Sequence, residues 1–282
     1  MHRILLLFVT AILMVACSKE PQTLAELEEA GKKAYLEEDY ITARDYLGRA
    51  VTMKSSDRDV LYFLGMSYQR EFLLDSALFY LKRADLLHPN DREVNSVMYP
   101  IAAQLGEWEL AARAIMVMVV TGDSIEQYRE RLADLNVKMG NIGVALIHAK
   151  ELLRLEPDKV ERYHQLAFLA HRRDSLDLAI EIIDQATEKF GEDNQLVFLR
   201  ALVYMSQEDF ASSEALLRRL VAADSTAINK LHLALALSKQ DSNAKKLQAV
   251  DLFREVRDFV SPEYKVDSLL FDLELELNRE SE

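Results

Sequence analysis

Cysteine is nearly missing from this chain: one residue, Cys17, in 282. A single thiol leaves no disulfide within the chain, so the fold has to be held by a buried apolar core. Glycine and proline are scarce too, at 8 and 5, too few for the many tight turns of a β-sandwich. Basic charge is in deficit, since 34 Lys and Arg against 47 Asp and Glu leave a net charge of −13. There is no basic stripe, which argues against nucleic acid and against a charge-driven grip on anionic lipid. After the first twenty residues no apolar run reaches the roughly 20 residues that a membrane-spanning helix needs. The best candidate, Leu110 to Val120, carries Arg113 and stops at Thr121-Gly122; it reads as a buried helix. The signatures of phosphate loops, dinucleotide folds, zinc proteases and serine hydrolases are missing as well. The reading therefore assigns no catalytic residue, no cofactor and no metal site.

What is present begins with "MHRILLLFVTAILMVACSKE". A short basic start is followed by an uncharged apolar run from Ile4 to Val15, then by Ala16-Cys17, and charge resumes at once. This is the pattern of a secretory signal. Met14-Val15-Ala16-Cys17 resembles a bacterial lipobox, with Met14 a looser fit than the usual leucine. The resemblance implies a signal peptide over 1–16, acylation of Cys17 and a lipidated tether over 17–23. Several acyl chains, at about 0.8 kcal/mol per buried CH₂, anchor firmly. It also implies a bacterial cell envelope, reached through the lipid on Cys17. Ser18 is not the aspartate that retains many enterobacterial lipoproteins in the inner membrane. The outer membrane, facing the periplasm, is therefore favoured, and cell-surface exposure stays open.

The rest of the chain repeats itself. Ala43, Ala77, Ala111, Ala145, Ala179 and Ser213 lie 34 residues apart without a slip. A small site upstream keeps step at Gly31, Gly65, Ala133, Ala167 and Ala201, broken only by Tyr99. A large apolar site four residues after the alanine reads Leu47, Leu81, Ile115, Ala149, Ile183 and Leu217. Small residues let two antiparallel helices approach, and large ones fill the space beside the contact. In the second copy the spacing runs Leu61, Leu64-Gly65, Tyr68, Ala77, Leu81, Ala84, Pro89. This resembles the tetratricopeptide repeat, with Leu where Trp and Phe are usual.

That resemblance implies an all-α fold: a right-handed α-solenoid of helix pairs over 24–257, six regular repeats and a divergent seventh. A capping helix and tail follow over 258–282, with Val266, Leu269, Leu270, Leu273 and Leu277 facing inward and Ser261-Pro262 starting the helix. The regular repeats fall at 24–57, 58–91, 92–125, 126–159, 160–193 and 194–227. Tyr99 and Pro100 predict a splayed and kinked helix in the third.

In such proteins the first helix of each repeat lines a concave surface. Projected onto those helices, the candidate protein-binding residues are Tyr35, then Tyr62, Met66 and Arg70, then His164, Phe168, His171 and Arg172. Phe198, Leu202, Met205 and His232 complete the set. They form either a groove for an apolar or helical segment or part of the core. Glu161, His164 and His171 share a helix face, but rings seven residues apart sit about 10 Å from each other, too far for one metal ion. The function expected is a lipid-anchored, non-catalytic adaptor or scaffold that binds proteins or peptides. The alternative is a structural, pilotin-like subunit of an outer-membrane assembly, pilus or secretion complex.

Overall fold

The computed structural model describes residues 20–280. The signal segment, Cys17 and the start of the tether lie outside the described residues. Those described contain no strand. The helices come in consecutive pairs: α1 (Leu24–Leu36) with α2 (Tyr40–Thr52), α3 (Arg58–Arg70) with α4 (Leu74–Leu87), and α5 (Arg92–Gln104) with α6 (Trp108–Val120). After a 3₁₀ turn at Ile125–Tyr128 come α7 (Arg129–Lys138) with α8 (Ile142–Leu155), then α9 (Val160–Arg172) with α10 (Leu176–Phe190). The last pairs are α11 (Asn194–Ser206) with α12 (Phe210–Ala223), and α13 (Ala227–Ser238) with α14 (Asn243–Val256). A second 3₁₀ turn, Pro262–Tyr264, leads into α15 (Val266–Glu280). The chain forms two compact units, the first ending at Tyr128 and the second beginning at Arg129.

Close approach explains the 34-residue period. Ala43, Ala77, Ala111, Ala145 and Ala179 are fully buried, each where the two helices of a repeat touch. Leu47, Leu81, Ile115, Ile183 and Leu217 are enclosed beside them. At the sixth copy Ser213 stands in for alanine, is equally buried, and donates its hydroxyl to the Ala201 carbonyl at 2.9 Å. The polar substitution is tolerated because its one donor is satisfied.

Capping starts the first helices. Asp57, Asp91 and Asp193 accept a backbone N–H at the starts of α3, α5 and α11, and Thr23 with Glu26 forms a capping box on α1. The turn inside each regular repeat carries a left-handed residue, again 34 apart: Glu38, Phe72, Gly106, Gly140, Asp174 and Glu208, with φ between 60° and 79°. Only two of the six are glycine, so the turn is imposed by the helix packing on either side rather than by local preference.

Three details differ from the sequence reading or refine it. The fourth repeat's first helix starts at Arg129 rather than 126, because Ile125–Tyr128 winds into the 3₁₀ turn. Ser261 caps the 3₁₀ turn at Pro262, not the long helix, since Lys265 at φ 50° interrupts the run before Val266. Pro100 lies inside α5, which stays continuous from Arg92 to Gln104. Tyr99 is half-buried, its ring edge-on to Tyr128 at 6.2 Å.

The closing helix α15 buries Val266 and Leu273 in a cluster with Ala249, Val250 and Phe253 of α14, and Leu269, Leu270 and Leu277 pack at its edge. Lys246 and Arg254 of α14 clasp it through Glu276 (2.8 Å) and Glu274 (2.6 Å).

Candidate functional site

In the first unit the projected residues are drawn into packing between repeats. Tyr35 meets Tyr40 at 5.5 Å and Phe63 at 5.1 Å between ring centroids. The exposed Arg70 lies 5.8 Å above Tyr40. Tyr62 is buried under the Arg58 guanidinium, 4.8 Å from its ring. Burial first, and then the nearby Glu93 carboxylate, push the Tyr62 hydroxyl up to about 12. Arg58 is held in turn by Asp91 at 2.7 Å and Glu93 at 2.8 Å. Met66 is half-buried. Tyr35 and Tyr62 thus stitch repeats together, and Arg70 is the member of this group that reaches solvent.

In the second unit the residues divide into two groups. His164 is buried, its Nε2 2.9 Å from Asp193 Oδ2, and Asp193 at the same time caps α11 by accepting the Leu196 N–H at 2.8 Å. His171 Nε2 sits 2.9 Å from Ser206 Oγ, and burial lowers the pKa of its imidazole. Each histidine therefore bonds forward to the next repeat. The described residues hold no group of three His, Cys, Asp or Glu side chains placed to take a metal ion. Beside them Phe168 is 41% exposed, with the Arg172 guanidinium 5.9 Å from its ring.

The second group follows the next two repeats. Phe198 is partly buried against the core that includes Leu231 and Ala234. Its ring is edge-on to His232 at 4.9 Å, and His232 is edge-on to Tyr264 at 6.3 Å. His232 donates from Nδ1 to the Ile228 carbonyl at 2.8 Å; burial lowers its pKa, which that bond partly opposes. Leu202 and Met205 are half-buried alongside. Among the described residues no ring contact joins Phe168 to Phe198.

Tyr264 is the member that sequence reasoning missed. It comes from the turn before α15, beyond the repeats, where no 34-residue register could place it. Phe63 and Tyr40 were missed for another reason. Both look like helix-packing residues, and only the assembled repeats show them closing over Tyr35.

No family model matches this chain, and no curated protein matches it. Solved structures do. A tetratricopeptide repeat protein from Parabacteroides merdae superposes with a TM-score of 0.53 at 19% identity, covering 90% of this chain and 99% of that one. YrrB, described as a TPR protein with an unusual peptide-binding site, has a TM-score of 0.48 at 14% identity and covers 66% and 96%. A MamA structure follows at 0.45 and 19%, covering 58% and 95%. With its paired helices and its 34-residue register, the fold is that of a tetratricopeptide α-solenoid.

Proposed function

We propose that this chain is a non-catalytic protein- or peptide-binding scaffold, held at a bacterial envelope membrane by acyl chains on Cys17. The carrying observation is Phe168: a large aromatic side chain left exposed on the first helix of its repeat, with the Arg172 guanidinium 5.9 Å from its ring. Aromatic and arginine side chains are both enriched at protein interfaces. The ligand it suits is a segment with an apolar anchor next to a carboxylate, which Arg172 can receive.

A photo-crosslinker at position 168, used in cells, should trap one partner, and Phe168→Ala should weaken its capture without lowering the melting temperature. Crosslinks spread evenly over position 168 and outer-face positions would sink this surface. The anchor is tested apart from it: Cys17→Ala should abolish acylation and cleavage before residue 17, read by mass spectrometry of the N-terminus.

A further inference from the structure

The second helices carry an outward line of four positions per repeat, and its chemistry changes along the chain. In the fifth repeat the line is Asp177, Glu181, Asp184 and Glu188, all exposed. In the second and third repeats, after a first-turn acid, it becomes Phe79, Lys82, Leu86 on α4 and Arg113, Met116, Val120 on α6. Leu86 and Val120 are 77% and 80% exposed and Phe79 is 56% exposed. The two helices are bridged by Arg113 of α6, which pairs with Asp85 of α4 at 3.0 Å. The charges among these apolar side chains are paired in place, Lys82 with Glu107 and Arg113 with Asp85, so the face is apolar and locally neutral, and apolar area of this kind is what enters an acyl boundary. The net charge of −13 hides this local neutrality.

The tether leaves from the same edge. Within each pair the helices are antiparallel, so the start of α1 lies beside the end of α2, where Ser55 donates to Glu28 at 2.7 Å. Arg49 of α2 holds the later part of the tether, donating to the Pro21 carbonyl at 3.1 Å and pairing with Glu20 at 3.7 Å. Leu86 and Val120 lie in the last turns of the next two second helices, which end at that same edge. From Cys17 to Glu20 the chain spans at most about 11 Å. An acylated Cys17 would thus hold this edge against the bilayer.

We propose that the outer ends of α4 and α6 rest on the phospholipid surface, Leu86 and Val120 entering the boundary between headgroups and acyl chains. This rests on the acylation of Cys17 proposed above. It orients the first unit, with the turn that bears Phe72 directed away from the membrane.

The test uses the full, acylated protein in vesicles of phosphatidylethanolamine and phosphatidylglycerol with brominated acyl chains. Leu86→Cys, Val120→Cys and Phe72→Cys each supply one free thiol for an environment-sensitive fluorophore, since the thiol of Cys17 is blocked by acylation. Labels at 86 and 120 should be quenched at least about threefold more than the label at 72, and only they should shift to the blue. Acylated protein with equal or no quenching at the three sites overturns the proposal and leaves the face to a protein partner. An N-terminal mass without acyl groups overturns the anchor, and the orientation falls with it.

Discussion

Gly31, Gly48 and Gly65 sit in three neighbouring helices, and a methyl group meets a different fate at each. At Gly31 an added Cβ would lie 2.6 Å from Leu47 Cγ and 3.2 Å from the Leu47 backbone nitrogen. At Gly65 it would lie 2.9 Å from Leu81 Cγ and 3.2 Å from the Ala77 carbonyl oxygen. At Gly48 nothing stands within 4 Å. Alanine is preferred to glycine in a helix by about 1 kcal/mol, whereas overpacking a close contact costs about 1–3 kcal/mol. Gly48→Ala should therefore stabilise by up to about 1 kcal/mol, and Gly31→Ala and Gly65→Ala should both destabilise, Gly31→Ala more. Denaturant unfolding of the three variants reads the order directly. If Gly65→Ala were as stabilising as Gly48→Ala, the small-residue contact would not be what sets the repeat. The residue scale is also where the sequence was least legible. Phe168 and Phe198 project onto similar faces of successive first helices, yet one is exposed beside Arg172 and the other is packed against the core. Spacing assigns a residue to a helix face, but how far the neighbouring repeat covers that face depends on side chains 30 or more positions away.

Helix starts were far more legible, since a 34-residue register with Asp or Thr before most of the first helices, though Lys159 before α9 makes no side-chain cap, carries both period and polarity. The second helices begin at Tyr40, Leu74, Trp108, Ile142, Leu176 and Phe210, 34 apart throughout. The exceptions arise where local geometry overrides the register, as in the 3₁₀ turn before α7 and at the left-handed Lys265 before α15. One cap does more than start a helix. Asp193 accepts the Leu196 N–H and also partners the buried His164, whereas Asp209, which accepts the Ser212 N–H at 3.0 Å, is exposed. Removing a cap costs about 1 kcal/mol, and stranding a buried polar group adds roughly 1–3 kcal/mol. Asp209→Ala should cost about 1 kcal/mol and Asp193→Ala about 2–4 kcal/mol. In the His164→Leu background the Asp193→Ala cost should shrink to that of the cap alone. Urea unfolding of this double-mutant cycle measures the coupling, and a coupling of zero would mean that the histidine takes no part in joining the fifth repeat to the sixth.

The division into two units at Tyr128 was not legible in the period, which runs past it unbroken at Ala111 and Ala145. It has a consequence for acid stability, because the titratable groups are unevenly shared. In the second unit burial lowers the imidazole pKa values of His148, with Arg129 assisting, and of His171 and His232, from the ordinary value of 6.5. These rings take up a proton less readily when folded than in the unfolded chain, which protonates below about 6.5, so acid favours unfolding. Their contribution is complete above 6.5 and is lost as pH falls from there through the lowered folded values. Glu214 acts in the same direction at lower pH. Burial alone would raise its pKa, but hydrogen bonds from Lys245, Gln240 and Arg218 bring it down to about 2, so its contribution fades between 4.5 and about 2. In the first unit Asp57 and Asp91 are lowered from 3.8 against the pull of burial, by Lys32 and Arg58 respectively, with backbone N–H groups assisting. Their contribution begins to fade only near pH 4. Between pH 6.5 and 5 the second unit should therefore lose hydrogen-exchange protection while the first keeps it, and both should weaken below about pH 4. Exchange read by mass spectrometry follows α3 to α6 and α9 to α14 in one sample. Equal losses in the two units between pH 6.5 and 5 would show that the half-buried imidazoles do not set the acid limit of this solenoid.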